Sequence, residues 1–235
     1  MDVQSVMHEL ELLGTERTKK IYMQQGAREP VYGVTTGSMK PIFRQIKINQ
    51  ALAESLYATG NYDAMYLAGM IADPKAMTDA VFDRWMEIAY FYMISDFVVA
   101  VTLAESDIAQ SVSDRWITDG RELYGSGGYS CYAWLIGNRK DDYFSKEKLD
   151  AMLESVARTI HKSPDRAKYA MNRFVATVGI SYLPLHEKAL AIAKSIGTVE
   201  VFRGKTKLSV AVAAEEIEHA AAKGRLGFKR KYVRC

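Results

Sequence analysis

The sequence predicts an all-α protein made of a row of antiparallel helices, with one small β-hairpin near the C-terminus. Through most of the 235 residues, apolar side chains recur at the spacing of an amphipathic helix, as at Val6, Leu10 and Leu13. Short connections that contain Gly, Pro, Asn or Asp separate these stretches, as expected between neighbouring helices. The segment 198–210 shows instead the alternation of a β-strand.

Each helix is predicted, in chain order, from the spacing of its apolar residues and from the residues that begin or end helices. The first covers 1–25. Ser38 and Pro41 predict the cap and the first turn of the second, and Gly60 ends the third. From the third onward, the predicted helices cover residues 49–59, 62–72, 79–94, 107–123, 126–136, 146–161, 165–179, 185–196 and 212–223.

A series of helices without intervening strands is compatible with two architectures, a globular bundle and a solenoid of stacked helix pairs. Each pair here occupies roughly 35 to 45 residues, which is the period of HEAT and armadillo repeats. No repeated residue pattern marks the units, so both architectures stay open on periodicity alone. We expect a single domain over 1–235, with a hairpin at about 198–210 and a basic tail at 225–235.

The hairpin prediction rests on two β-rich runs around Gly204, with basic residues at or beside the tip. An isolated two-stranded hairpin is marginal in water, so this one must pack on helices. Folding does not require the positive charges of Arg203, Lys205 and Lys207. They therefore indicate a finger that contacts DNA, although cations that protect the edge of a hairpin would give the same pattern.

The formal net charge of +3 is concentrated at the C-terminus. The tail 225–235 contains no acidic residue and five basic ones, namely Arg225, Lys229, Arg230, Lys231 and Arg234. The rest of the chain carries slightly more acidic than basic residues. Aromatic residues interleave with the basic ones, which suits a polyanionic partner such as nucleic acid, while a solvated tail that aids solubility is the alternative.

Several classes of protein lack support in the sequence. Cys131 and Cys235 have no CxxC spacing, which favours a reducing compartment and argues against structural zinc. No secretory signal is recognisable, and no apolar run reaches the roughly 18 residues that cross a bilayer. Nucleotide-binding, zinc-protease and nucleophile-elbow motifs are absent, and the four histidines are isolated. We expect a cytoplasmic, nucleoid-associated protein of bacterial type, monomeric, without cofactor or metal and without membrane contact.

Four blocks resemble, in the same order, segments of the DNA alkylation repair family, the AlkD-like alkylpurine DNA glycosylases: 52–78 (LAESLYATGNYDAMYLAGMIADPKAMT), 127–138 (GGYSCYAWLIGN), 170–179 (AMNRFVATVG) and 224–235 (GRLGFKRKYVRC). The resemblance covers nearly the whole chain. It implies a curved stack of HEAT-like helix pairs whose basic concave face holds duplex DNA by its backbone.

The resemblance also implies where a glycosylase site would lie. In active members, two tryptophans, an aspartate and an arginine line the concave face. An indole attracts a cationic alkylated base, a carboxylate stabilises oxocarbenium character, and an arginine binds a phosphate. On this alignment Asp96 retains the aspartate and Tyr92 replaces the first tryptophan, at a spacing of four that puts both on one helix face.

The other two positions of this set are lost. The arginine falls on Ser126, and the second tryptophan falls near Arg173, which would repel a cationic base while attracting phosphate. The pattern resembles the non-catalytic AlkF/AlkG-like branch, in which the scaffold and an added hairpin go with affinity for branched or distorted DNA. The resemblance therefore implies a DNA-binding protein that lacks glycosylase activity.

The basic residues that we expect to contact DNA lie in the hairpin, along one helix and in the tail: Arg203, Lys205, Lys207, Arg166, Lys168, Arg173, Lys229, Arg230 and Lys231. The main alternative is a DNA glycosylase for alkylated, cationic or bulky purines that uses Asp96 with Tyr92. A scaffold that binds proteins is the third possibility, because helical solenoids present long surfaces suited to peptides.

Overall fold

The computed structural model describes residues 1–203 and 206–233, with the backbone alone at Arg203. Within that part, the chain divides into two compact units, residues 1–108 and 109–233. Both units are built from α-helices, and the all-α prediction is confirmed. The helices of the first unit are α1 (Val3–Leu13), α2 (Glu16–Gln25), α3 (Thr36–Ile46), α4 (Gln50–Tyr57), α5 (Tyr62–Ile71), α6 (Asp79–Ile88), α7 (Tyr92–Ile94) and α8 (Ala100–Leu103).

Helix α5 is the centre of the first unit. It packs against α3 and α4 and against the helical stretch from α7 to α8, and most of its side chains are buried. One of them is the carboxylate of Asp63, which accepts hydrogen bonds from the backbone N–H groups of Tyr32 (2.6 Å), Gly33 (3.1 Å) and Val34 (2.8 Å). Asp63 thereby fixes the loop before α3 to the core.

Two helix boundaries of the first unit differ from the prediction. The single helix expected over 1–25 is two helices, because the chain turns at Gly14 and the Thr15 hydroxyl caps α2 by accepting from the Thr18 N–H. Helix α3 begins before Ser38, with Thr35 as its cap, so that Pro41 lies inside the helix and not in its first turn.

The helix expected over 79–94 is also interrupted. Helix α6 ends at Ile88, and Phe91 adopts an extended backbone before the chain becomes helical again at Tyr92. The Phe91 ring is 8% exposed and lies 5.5 Å, centroid to centroid, from the buried ring of Tyr62. Burial of this ring among neighbouring aromatics accounts for the break, which local propensity does not reveal.

The helices of the second unit belong to two sets, and successive helices along the chain alternate between them. Helix α12 contacts both α10 and α14, while α11 and α13 contact each other, which is the alternation of stacked helix pairs. Helices α10 and α12 begin side by side, since the Arg166 N–H donates to Glu122 at 2.8 Å. The elements are α9 (Ala109–Thr118), α10 (Glu122–Ile136), α11 (Lys146–Thr159), α12 (Asp165–Ser181), α13 (His186–Ile196), β1 (Val201–Arg203), β2 (Thr206–Leu208) and α14 (Ala213–Ala222).

The glycine-rich segment 125–128 lies inside α10 and does not open it, because the helix begins at Glu122 and not at 126 as predicted. The segment allows close helix packing at Gly128. A Cβ atom there would lie 2.7 Å from Cγ1 of Ile117 and 2.9 Å from the carbonyl oxygen of Ser113. Helices α9 and α10 therefore approach more closely at this point than a side chain allows.

The predicted hairpin is present. Strands β1 and β2 pair in antiparallel register, with Val201 opposite Leu208 and Phe202 opposite Lys207. Val201 is fully buried and β1 packs against α12, whereas Phe202 is 40% exposed. The alternation that predicted a strand thus corresponds to one side chain that anchors the hairpin and one that faces solvent.

Candidate nucleic-acid interface

Helix α12 carries three of the cations expected to contact DNA, and Lys168 and Arg173 are paired with acidic residues. The Lys168 ammonium lies 3.1 Å from a carboxylate oxygen of Asp165. Arg173 Nη1 donates to both carboxylate oxygens of Glu216 on α14, each at 2.9 Å. The Arg166 guanidinium lies over the Tyr169 ring, 4.7 Å from its centroid. Helix α12 therefore presents less net positive charge than its sequence suggests.

In the hairpin, the structure places one of the three predicted basic side chains. Lys207 forms an ion pair with Glu200, and its ammonium holds the pKa of the Glu200 carboxyl below its usual range. The hairpin packs on α12, where the Asn172 side-chain amide donates to the carbonyl oxygen of Ala211, just after β2, at 2.9 Å. The Arg203 side chain and Lys205 lie outside the described residues.

The basic tail is folded back onto the ends of helices. Lys229 donates to the carbonyl oxygen of Ile136 at 2.9 Å and lies 2.8 Å from Asp141, so its charge caps the C-terminus of α10. Arg230 and Lys231 are exposed. Their cationic groups lie 5.3 Å from the Trp134 ring centroid and 5.2 Å from that of Tyr232, respectively.

Two further cations beside the tail were not predicted. Arg139 and Lys140 follow the end of α10, and the Arg139 guanidinium lies 5.6 Å from the centroid of Tyr143. They are nearly 90 residues from the tail in sequence, so no local pattern connects the two segments. The signal that could have drawn attention to them is an adjacent Arg-Lys pair directly after the Gly-Asn that ends a helix.

The two residues of the glycosylase alternative lie in the first unit, on the stretch from α7 to α8. Asp96 is 3% exposed and sits in a π-helical turn, Ser95–Val99, where the Ser95 hydroxyl donates to its carboxylate at 2.8 Å. Tyr92 is half-buried, and its ring packs against Phe91 and Phe97. Turns of π-helix are rare and are frequent at functional sites.

Residues 6–214 match the sequence model of a protein family that is described as DNA alkylation repair enzyme. This chain belongs to the DNA alkylation repair family. The resemblance seen in the sequence is thereby confirmed. Among curated members of similar sequence, the uncharacterized proteins Lin0241 of Listeria innocua and Lmo0209 of Listeria monocytogenes are 32% and 31% identical over 218 residues, which is 90% of this chain and 94% of each relative.

A solved structure is similar over all of this chain and all of its own, with 64% sequence identity and a TM-score of 0.96. It is described as a new family of proteins related to the HEAT-like repeat DNA glycosylases with affinity for branched DNA structures. The HEAT-like repeat fold that the resemblance implies is therefore confirmed for this member of the DNA alkylation repair family.

The resemblance puts the family's arginine at Ser126 and its second tryptophan near Arg173. Neither side chain is suited to the family's role at that position, which is phosphate binding for the arginine and stacking on a cationic base for the tryptophan. Ser126 is fully buried, and its hydroxyl lies 3.3 Å from the carbonyl oxygen of Arg166. Arg173 is held in its ion pair with Glu216. A buried hydroxyl provides no cation for a phosphate, and an ion pair provides no electron-rich face for a cationic base.

The described residues of this family member contain no cluster of three His, Cys, Asp or Glu side chains that could hold a metal ion. Over the same residues, none of the helices combines the length and the apolar character that crossing a membrane requires.

Proposed function

We propose that this member of the DNA alkylation repair family binds branched or distorted DNA and does not excise bases. The observation that carries the proposal is the 64% identity, over the full length of both chains, with a protein described as having affinity for branched DNA structures. The TM-score of 0.96 shows that the scaffold is shared. We infer a cytoplasmic, nucleoid-associated protein that acts as a monomer without cofactor or metal.

The state of the family's site supports a loss of excision. Ser126 and Arg173 stand where a phosphate clamp and a stacking indole would be needed, and Glu216 neutralises Arg173. Asp96 is retained, but a carboxylate alone stabilises a developing sugar cation without recognising the base that leaves. Without the phosphate clamp and the stacking indole, we expect the helical scaffold to hold DNA by its phosphates and not to excise bases.

Binding to phosphates is largely independent of base sequence. The test is a gel shift at fixed salt with plain duplex, three-way and four-way DNA of equal length, run beside a base-release assay on methylated DNA. We expect tighter binding to the junctions and no release of methylated purine. Equal affinity for plain duplex and junctions would contradict the proposal.

A second function, excision of alkylated purines with Asp96 as the catalytic carboxylate and Tyr92 stacking on the base, is favoured by one observation. Asp96 is buried in a π-helical turn, an environment in which functional residues are common. Release of methylated purine by the wild-type protein that is abolished in Asp96→Asn would establish this enzyme and overturn the binding proposal.

A further inference from the structure

The C-terminal tail of the second unit is fixed in place by hydrogen bonds from its backbone. The Gly227 N–H donates to the carbonyl oxygen of Ile180 at 2.8 Å, and the Arg230 N–H donates to that of Gly137 at 2.7 Å. The Asn138 side-chain amide donates to the carbonyl oxygen of Arg230 at 2.7 Å. The first two bonds satisfy carbonyls at the ends of α12 and α10 that the helices leave free.

Only some side chains of the tail serve this attachment. Lys229 caps α10, and Val233 is 9% exposed. Between and beside them, Phe228 is 60% exposed and Tyr232 is 67% exposed, while Arg230 and Lys231 also face solvent. Attachment of the tail does not require two exposed aromatic rings and two exposed cations, so another role is needed to account for them.

The surface around these side chains has an excess of positive charge. We call it the tail platform, and it consists of Arg139, Lys140, Phe228, Arg230, Lys231 and Tyr232. In the part of the chain that the structure describes, none of its four cations lies within ion-pair distance of a carboxylate. The neighbouring Asp141, which follows Lys140, forms an ion pair with Lys229.

Exposed aromatic rings that alternate with cations are the arrangement by which proteins bind single-stranded nucleic acid, since bases stack on the rings and phosphates pair with the cations. A duplex would use the cations but has no unstacked bases for the rings. We propose that the tail platform binds single-stranded DNA, with Phe228 and Tyr232 as stacking residues and Arg230 and Lys231 as phosphate contacts.

The platform is separate from the hairpin. The segment that follows β2 joins α12 at Asn172, whose side-chain amide donates to the Ala211 carbonyl oxygen, whereas the tail joins α12 at Ile180. Eight helical residues span about 12 Å along the axis. On the proposed function, this separation allows the hairpin and helices to hold a paired arm of a branched DNA while the platform holds an unpaired strand.

The direct test is fluorescence anisotropy of the full-length protein with labelled oligothymidylate, compared with a duplex of the same length. In Phe228→Ala/Tyr232→Ala we expect single-strand affinity to fall by at least about tenfold, because each stacked base contributes strongly to binding. Duplex affinity should change less than about twofold. The matched variant Phe228→Tyr/Tyr232→Phe keeps both rings and should bind single strands like the wild type.

The charge contribution is tested with Arg230→Gln/Lys231→Gln, which should weaken single-strand binding and reduce its dependence on salt. Arg17→Gln/Lys20→Gln removes the same two charges from exposed positions on α2 and serves as the control. Circular dichroism checks the fold of every variant. If the aromatic variant binds oligothymidylate as tightly as the wild type, or if both charge variants weaken binding equally, the tail platform is not the site.

Failure of the platform can be distinguished from failure of the proposed function. Three-way junctions are compared with all arms paired and with one arm left single-stranded. Weak binding to the fully paired junction, with oligothymidylate binding that depends on Phe228 and Tyr232, would refute junction recognition and support the platform. Tight binding to both junctions that is insensitive to the aromatic variant would support the proposed function and refute the platform.

Discussion

At the scale of single residues, the partners of the cations distinguish two groups that the sequence does not separate. Lys168, Arg173, Lys207 and Lys229 each form an ion pair with an acidic residue, whereas Arg230 and Lys231 lie over aromatic rings. A paired cation still attracts phosphate, but it must exchange its carboxylate for the DNA. The first group therefore contributes less to DNA affinity than a count of charges suggests.

Arg173 offers the clearest test of this difference, because its partner can be removed without changing the arginine. We expect Glu216→Gln to tighten junction binding by about twofold to fivefold near 0.1 M salt, since one more cation becomes available to a phosphate. Gel shifts measure the effect. The double variant Arg173→Gln/Glu216→Gln should return affinity to the wild-type level, and a gain that persists there would assign the effect to the lost negative charge alone.

At the scale of elements, close contact between α9 and α10 depends on a glycine inside the longer helix. We expect Gly128→Ala to lower the free energy of unfolding by about 1–3 kcal/mol, because the added Cβ overlaps Ile117 and the Ser113 carbonyl. Thermal unfolding followed by circular dichroism measures this change.

The control for that substitution is three residues away in the same helix. At Gly125 an added Cβ would meet its nearest neighbour, Cβ of Ala167, at an ordinary contact distance of 3.8 Å. Gly125→Ala should be neutral or stabilising by up to about 1 kcal/mol, since alanine favours the helix. Equal destabilisation by both substitutions would mean that the close approach at Gly128 is not the cause.

The hairpin is the element to which the sequence assigns DNA contact most directly. We expect Arg203→Ala/Lys205→Ala/Lys207→Ala to weaken junction binding by roughly tenfold, since up to three phosphate contacts are lost. The fold should persist, because the ion pair of Lys207 with Glu200 is exposed and such pairs contribute little to stability. An unchanged affinity in a gel shift would exclude the hairpin as a DNA contact.

The elements also show how far the sequence predicts the structure. Helices α11, α12 and α13 and the hairpin follow from local spacing, because each has a buried face and clear flanking residues. The break before Tyr92 does not, because it depends on the burial of Phe91 against Tyr62. The ion pairs of the basic residues also could not be predicted, because they join residues that are distant in sequence. Glu216, for example, lies 43 residues from Arg173, and only the fold brings the two together.

At the scale of the whole molecule, membership of the DNA alkylation repair family and a HEAT-like repeat fold are established, and the proposed partner is DNA. A scaffold that binds phosphates releases counterions. We therefore expect junction affinity to fall by at least about tenfold when salt rises from about 50 to about 200 mM. Fluorescence anisotropy across a salt series measures the slope, and affinity that does not respond to salt would argue against phosphate contacts.

The hydrogen bonds to Asp63 should protect three loop amides from hydrogen exchange. The amides of Tyr32, Gly33 and Val34 belong to a loop, yet all three donate to one buried carboxylate. Their hydrogens can exchange with solvent only when this part of the first unit opens, so they should exchange together and as slowly as core helical amides. A segment without regular secondary structure would then report on the cooperative opening of the helices around α5.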